Sequence, residues 1–234
     1  MQLTVRDVAG LLNVSEKTIY RWIKDRAIPA YRINEQYRFH RAELLEWVTA
    51  RKVGVSVDIF QEAGDATAQA TSLTEALLAG GIVYRLVGTD TESVLRAAVE
   101  GMRLPDEVDR EQLLRVLVAR EALASTGGGD GIAIPHVRNP IVLHVPRPTI
   151  TLCFLERPVD FGALDRQPVH CLFMLVSPTV RAHLHLLSRL AFTLRDPAFR
   201  EVIRRQGLRD EILAEVRRVE SGLLQPQPVP SAGD

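Results

Sequence analysis

Apolar residues recur at helical spacing through the first fifty positions. Thr4 followed by Asp7 reads as a helix start, with Val8, Leu11 and Leu12 as its buried stripe. Asn13-Val14-Ser15 breaks the run, and Ser15 caps a second helix on which Ile19, Trp22 and Ile23 share one face. Lys17, Tyr20, Arg21 and Lys24 then fall together on the other face. Pro29 ends the segment. Arg32 to Phe39 reads as a short hairpin with Asn34-Glu35 at its tip. A third helix, from about Arg41 to Arg51, buries Leu44, Leu45, Trp47 and Val48. The periodicity then fades, which predicts a linker over 53–70.

Beyond the linker the pattern changes. Ile82 to Val87 reads as a strand, Thr91 to Met102 as a helix capped by Thr91, and Arg110 to Ala122 as another helix. Ile141 to Val145 and Thr149 to Phe154 are β-rich. Val169 to Val176 is a nearly continuous apolar run, as expected of a central strand buried on both faces. Helices follow at His183 to Leu194, Pro197 to Arg205 and Asp210 to Glu220. This order predicts an α/β sandwich, a mixed sheet flanked by helices, over 71–222. The Pro-rich end, 223–234, is expected to be disordered. Residues 1–52, with two helices on a tight turn and a basic hairpin, match a small winged helix-turn-helix domain.

Composition adds a few bounds. The net charge is zero, yet residues 1–52 hold ten Lys/Arg against six Asp/Glu. Cys153 and Cys171 lie in apolar runs and read as core side chains in a reduced compartment. The N-terminus lacks an apolar signal core and no segment has membrane-spanning length, so a cytoplasmic protein is expected.

The stretch Ser125-Thr126-Gly127-Gly128-Gly129-Asp130-Gly131-Ile132-Ala133-Ile134-Pro135-His136 carries the chemistry. Four glycines in five residues let backbone N–H groups approach an anion, and a neutral imidazole at His136 is a competent nucleophile. Glycines alone are equally consistent with a loop before a buried strand and an incidental histidine. His183 shares a helix face with Leu187 and Leu190, near an N-terminus that favours phosphate, whereas His185 points to the opposite, solvated side. A structural histidine is the alternative for His183. Arg120, before the glycines, suits paired contacts to phosphoryl oxygens or is a surface arginine at a helix end. His136, His144, His170 and His183 show no paired metal-ligand spacing, so no metal is expected.

The whole string resembles the active-site segment of enzyme IIA of the mannitol/fructose type in the bacterial phosphotransferase system, a class that includes the nitrogen-regulatory paralogue. The likeness runs from about Ser72 to about Arg217 and takes in Leu73 to Leu77, Val116 to Ser125, Pro158 to Pro168 and His183 to Phe199. It implies that His136 carries a phosphoryl group received from the histidine-containing phosphocarrier protein, with no cofactor. It also implies a second active-site histidine at His183, an active-site arginine at Arg120, and a phosphoryl-binding loop of Thr126, Gly127, Gly129 and Gly131. Val137-Arg138-Asn139-Pro140 departs from the small residue that many relatives place after the histidine.

The run Leu3-Thr4-Val5, Thr18 to Trp22, Ile28 to Arg32 and Leu44 to Trp47 is similar to the excisionase-type DNA-binding family. Arg26 stands where the family usually has glycine, and Asn34 replaces the wing-tip glycine. The resemblance implies duplex DNA as a partner, with Lys17, Tyr20, Arg21 and Lys24 in a groove and Arg32 and Arg38 on phosphates. Together the two domains point to a regulator that couples phosphorylation to DNA binding or transcription, in nitrogen or carbon control. A sugar-transport enzyme IIA serving a IIB subunit, and a protein-docking module that never touches DNA, are the alternatives.

Overall fold

The computed structural model describes residues 2–25, 27–33, 36–41, 43, 44, 47, 48, 71–137, 145–163 and 165–224. The predicted linker, the hairpin tip, Arg26, 138–144 (with His144 and most of the predicted strand there) and 225–234 lie outside them.

In the N-terminal domain, Thr4 and Asp7 form a reciprocal capping box that starts α1 (Val5–Leu11). Asn13 takes a positive φ of 52° at the break, and Ser15 caps α2 (Glu16–Lys24). β1 (Gln2–Leu3), absent from the sequence reading, pairs with β3 (Gln36–His40), which pairs with β2 (Tyr31–Ile33). Val8, Leu12, Ile19, Phe39 and Leu44 are buried between helices and sheet.

The second domain opens with a helix that the sequence reading did not assign, α3 (Leu73–Gly80), capped by a Ser72–Glu75 box. β4 (Ile82–Leu86) leads to α4 (Thr91–Gly101), whose cap is Asp90 rather than Thr91 because the Asp90 carboxylate accepts from Ser93 N–H. Then come α5 (Arg110–Leu123), β5 (Gly127–Gly129), β6 (Ile132–Ala133), β7 (Thr149–Val159) and β8 (Val169–Val176). α6 (Val180–Thr193), α7 (Pro197–Arg204) and α8 (Arg209–Leu224) follow. α6 begins three residues before His183, and α8 runs two residues into the expected tail.

The sheet order is β4-β7-β8-β6-β5, with β7 and β8 antiparallel and β6 parallel to β8. Strand alternation sorts the core into two layers. Cys171, Phe173 and Leu175 of β8, with Ile132 and Ile134, pack with residues of α3, α6, α7 and α8. Leu172, Met174 and Val176, with Ala133 and Val137, pack with α4 and α5. Both cysteines are buried and free, and burial pushes the Cys153 thiol up to about 12.

Candidate functional site

His136 continues the line of β6. It bridges Leu175 of β8 in the parallel sense, which carries the chain past Pro135 in register with the central strand. The count from Ile132 and Ile134 puts His136 in the α6 layer, and there its ring meets His183 with centroids 5.1 Å apart at 39°. The two are 3% and 2% exposed, so the imidazole sits in an enclosed pair rather than standing bare at a loop end. His136 Nδ1 lies 2.6 Å from the Ile134 carbonyl. A carbonyl only accepts, so Nδ1 carries the ring proton and the in-plane lone pair is on Nε2.

His183 lies in the first turn of α6, which Thr179 caps by accepting from Ala182 N–H. Leu186, Leu187, Leu190 and Ala191 anchor the buried face, while Leu184 is only partly buried. His185 is half-buried rather than solvated. Arg120, near the end of α5, is buried and donates through Nη1 to the Ala124 carbonyl at 2.7 Å, which folds its head over the helix end.

The glycine run differs from its expectation. Gly127–Gly129 is an edge strand, and Asp130 and Gly131, with φ of 54° and 69°, make the tight turn into β6. Positive φ at both turn residues is the type I′ requirement that Asp-Gly meets. A Cβ at Gly127 would stand 2.6 Å from the Ala163 Cβ, and one at Gly131 would stand 2.4 Å from His170 Cδ2. The hairpin and its close packing thus account for glycine here, and no open cradle is needed. Thr126 is engaged by Glu121. Its amide and its hydroxyl donate to the two oxygens of Glu121, at 2.7 and 2.6 Å, which ties the hairpin to α5 and leaves neither donor for an anion. Gly127 N–H donates to Ser125 Oγ at 3.0 Å.

Ser177 was missed. It follows β8 two residues beyond Leu175 and precedes the Thr179 cap, so it joins the strand beside His136 to the helix bearing His183. It is 1% exposed, and its hydroxyl has no hydrogen-bond partner among the described residues. Among the described residues no three His, Cys, Asp or Glu side chains gather in a way that would hold a metal ion. His170 lies beside the Asp130-Gly131 turn, away from the pair.

In the N-terminal domain Lys17, Tyr20, Arg21 and Lys24 are all exposed along α2, opposite Ile19. The wing arginines separate. Arg32 pairs with Tyr37, and Tyr31 pairs with Arg38, so the two guanidiniums leave opposite faces of the ribbon. Tyr37 makes an edge contact with Tyr20, which puts Arg32 on the α2 side. Arg38 stands on the reverse face, donates to Gln36 Oε1 at 2.6 Å, and helps hold the Asp7 carboxyl below its usual range, after the larger effect of Thr4.

A family model described as the phosphoenolpyruvate-dependent sugar phosphotransferase system, EIIA 2, matches residues 77–219, and one described as a helix-turn-helix domain matches residues 3–52. A nitrogen regulatory protein of Pseudomonas aeruginosa is 35% identical over 154 residues, 64% of this chain and 97% of that protein. The fructose-specific EIIA component of Haloferax volcanii is 35% identical over 131 residues, covering 53% of this chain and 80% of that one. The crystal structure of nitrogen regulatory protein IIA-Ntr from Neisseria meningitidis superimposes with a TM-score of 0.51 at 29% identity, over 58% of this chain and 91% of that chain. Among the described residues no helix is long and apolar enough to cross a membrane. The enclosed histidine pair at the end of the mixed sheet therefore lies in a member of the EIIA 2 family of the phosphoenolpyruvate-dependent sugar phosphotransferase system, which carries a helix-turn-helix domain at its N-terminus.

Proposed function

We propose that His136 accepts a phosphoryl group from the histidine-containing phosphocarrier protein of a phosphoenolpyruvate-driven relay, and that its phosphorylation state governs duplex DNA binding by the N-terminal domain. The likeness to nitrogen regulatory proteins favours an output in nitrogen or carbon control over sugar uptake. Nearly the whole of the Pseudomonas relative matches less than two thirds of this chain, so the DNA-binding module is an addition to a shared carrier core.

The observation that carries the reading is the tethered His136 ring, its Nδ1 proton held by the Ile134 carbonyl and its face against His183. The Nε2 lone pair forms the new N–P bond as the donor's own N–P bond breaks and its imidazole departs. His183 donates a ring N–H to a phosphoryl oxygen, and Arg120 balances the two negative charges that arrive. Ser177, which joins β8 to α6, offers the incoming anion a buried hydroxyl with no partner among the described residues.

Incubating the full chain with phosphoenolpyruvate, enzyme I and the carrier protein tests this. One acid-labile phosphoryl group per chain is expected, and none on His136→Ala. Labelling that persists on that variant ends the reading.

A further inference from the structure

A pocket of about 420 Å³ opens between the end of α3, the segment after α4 and the approach to β7. Arg103 and Arg147 stand at it, Leu78, Leu104 and Pro146 form apolar wall, and Thr149 contributes to the lining. Its volume falls within the range of small-molecule sites.

Two exposed guanidiniums and one buried hydroxyl at this pocket have no partner among the described residues. Arg103 and Arg147 are exposed, and neither makes an ion pair or hydrogen bond among the described residues. Thr149 is 7% exposed, and its hydroxyl also lacks a partner among the described residues. A buried hydroxyl left without a partner is destabilising unless a ligand completes it. Gly81, at φ 86°, brings the chain under Arg103, and a Cβ there would stand 3.1 Å from the guanidinium carbon.

We infer that this pocket binds a small organic dianion, either two carboxylates or one phosphate monoester on a short apolar body. Two guanidiniums match the charge, the walls match the body, and the Thr149 hydroxyl donates to an oxygen at the floor. The site is separate from the histidine pair. Thr149 pairs with Val176, which belongs to the α4–α5 layer, whereas His136 faces α6 across the sheet.

Calorimetric titration of the full chain with glutarate and with glycerol 3-phosphate distinguishes the two chemistries. Saturable binding of one probe is expected, weakened about tenfold or more by Arg103→Ala and by Arg147→Ala, as for loss of a charged hydrogen bond. Thr149→Val should weaken it too, yet raise the unliganded melting temperature, because it removes a buried hydroxyl that has no partner among the described residues. His136→Ala should bind as the parent does. Binding by neither probe, binding that survives both arginine variants, or binding abolished by His136→Ala overturns the proposal.

Discussion

At the scale of single residues, the site is decided by hydrogen bonds that letters do not show. His136 and His183 stand out as candidates in the sequence because a nucleophile next to glycines and a histidine on an apolar helix face are both chemical patterns. Ser177 does not, since Val-Ser-Pro reads as any strand exit until its hydroxyl is seen buried and unpaired among the described residues. Ser177→Ala should slightly raise stability, since it removes a buried hydroxyl with no partner among the described residues, but slow labelling from the carrier by about tenfold, the scale of one charged hydrogen bond. An unchanged initial rate would assign the hydroxyl no part. His170 offers a test of a different kind. Burial holds its imidazolium below the usual value of 6.5, and the Arg204 cation adds to this against the opposing bond to the Asp130 backbone. A depressed folded value means the unfolded chain binds the proton first. Its contribution is therefore complete above pH 6.5 and lost as pH falls through the folded value. Melting temperatures of the parent should drop on acidification through that window, and those of His170→Gln should drop less.

Elements were legible where caps and periodicity agreed, and misread where tertiary packing chose between options. α3 announces itself by Ser72-x-x-Glu75, but its few residues were too short a pattern to stand against the strand that follows. What holds it lies 147 positions away: Glu220 of α8 accepts from Leu73 N–H at 2.7 Å and from the amide and hydroxyl of Thr74 at 3.1 and 2.7 Å. Glu220→Ala removes a buried charged acceptor for three donors and should cost about 3 kcal/mol in urea unfolding of this domain. The far end of the same helix lies directly on β7, where a Cβ at Gly80 would stand 2.3 Å from the Ile150 carbonyl oxygen. Gly80→Ala should therefore destabilise by about 1–3 kcal/mol, as overpacking does; a neutral effect would show that the helix shifts freely. The glycine run was read as a loop because glycine permits loops, whereas close contact with Ala163 and His170 also demands glycine in a hairpin.

For the molecule as a whole, the proposed DNA interface can be tested through salt. Each phosphate neutralised adds close to one unit to the slope of log affinity against log salt. Arg32→Ala should flatten that slope by about one, while Arg38→Ala, on the reverse face, should leave it unchanged in anisotropy titrations with duplex DNA. Equal losses from both would show that the ribbon turns its other side to DNA. By itself the sequence determined the two family matches, the mixed sandwich and the α2 basic face, and it singled out His136 and His183 as candidates, because these follow from periodicity, capping and side-chain chemistry that act within a few residues. Only the tertiary structure decided which ring nitrogen of His136 holds the proton, that Thr126 belongs to Glu121, which wing arginine faces α2, and that Arg103, Arg147 and Thr149 meet at one pocket. Those outcomes depend on strand register and on contacts between distant positions, where a shift of one residue turns a side chain to the opposite face.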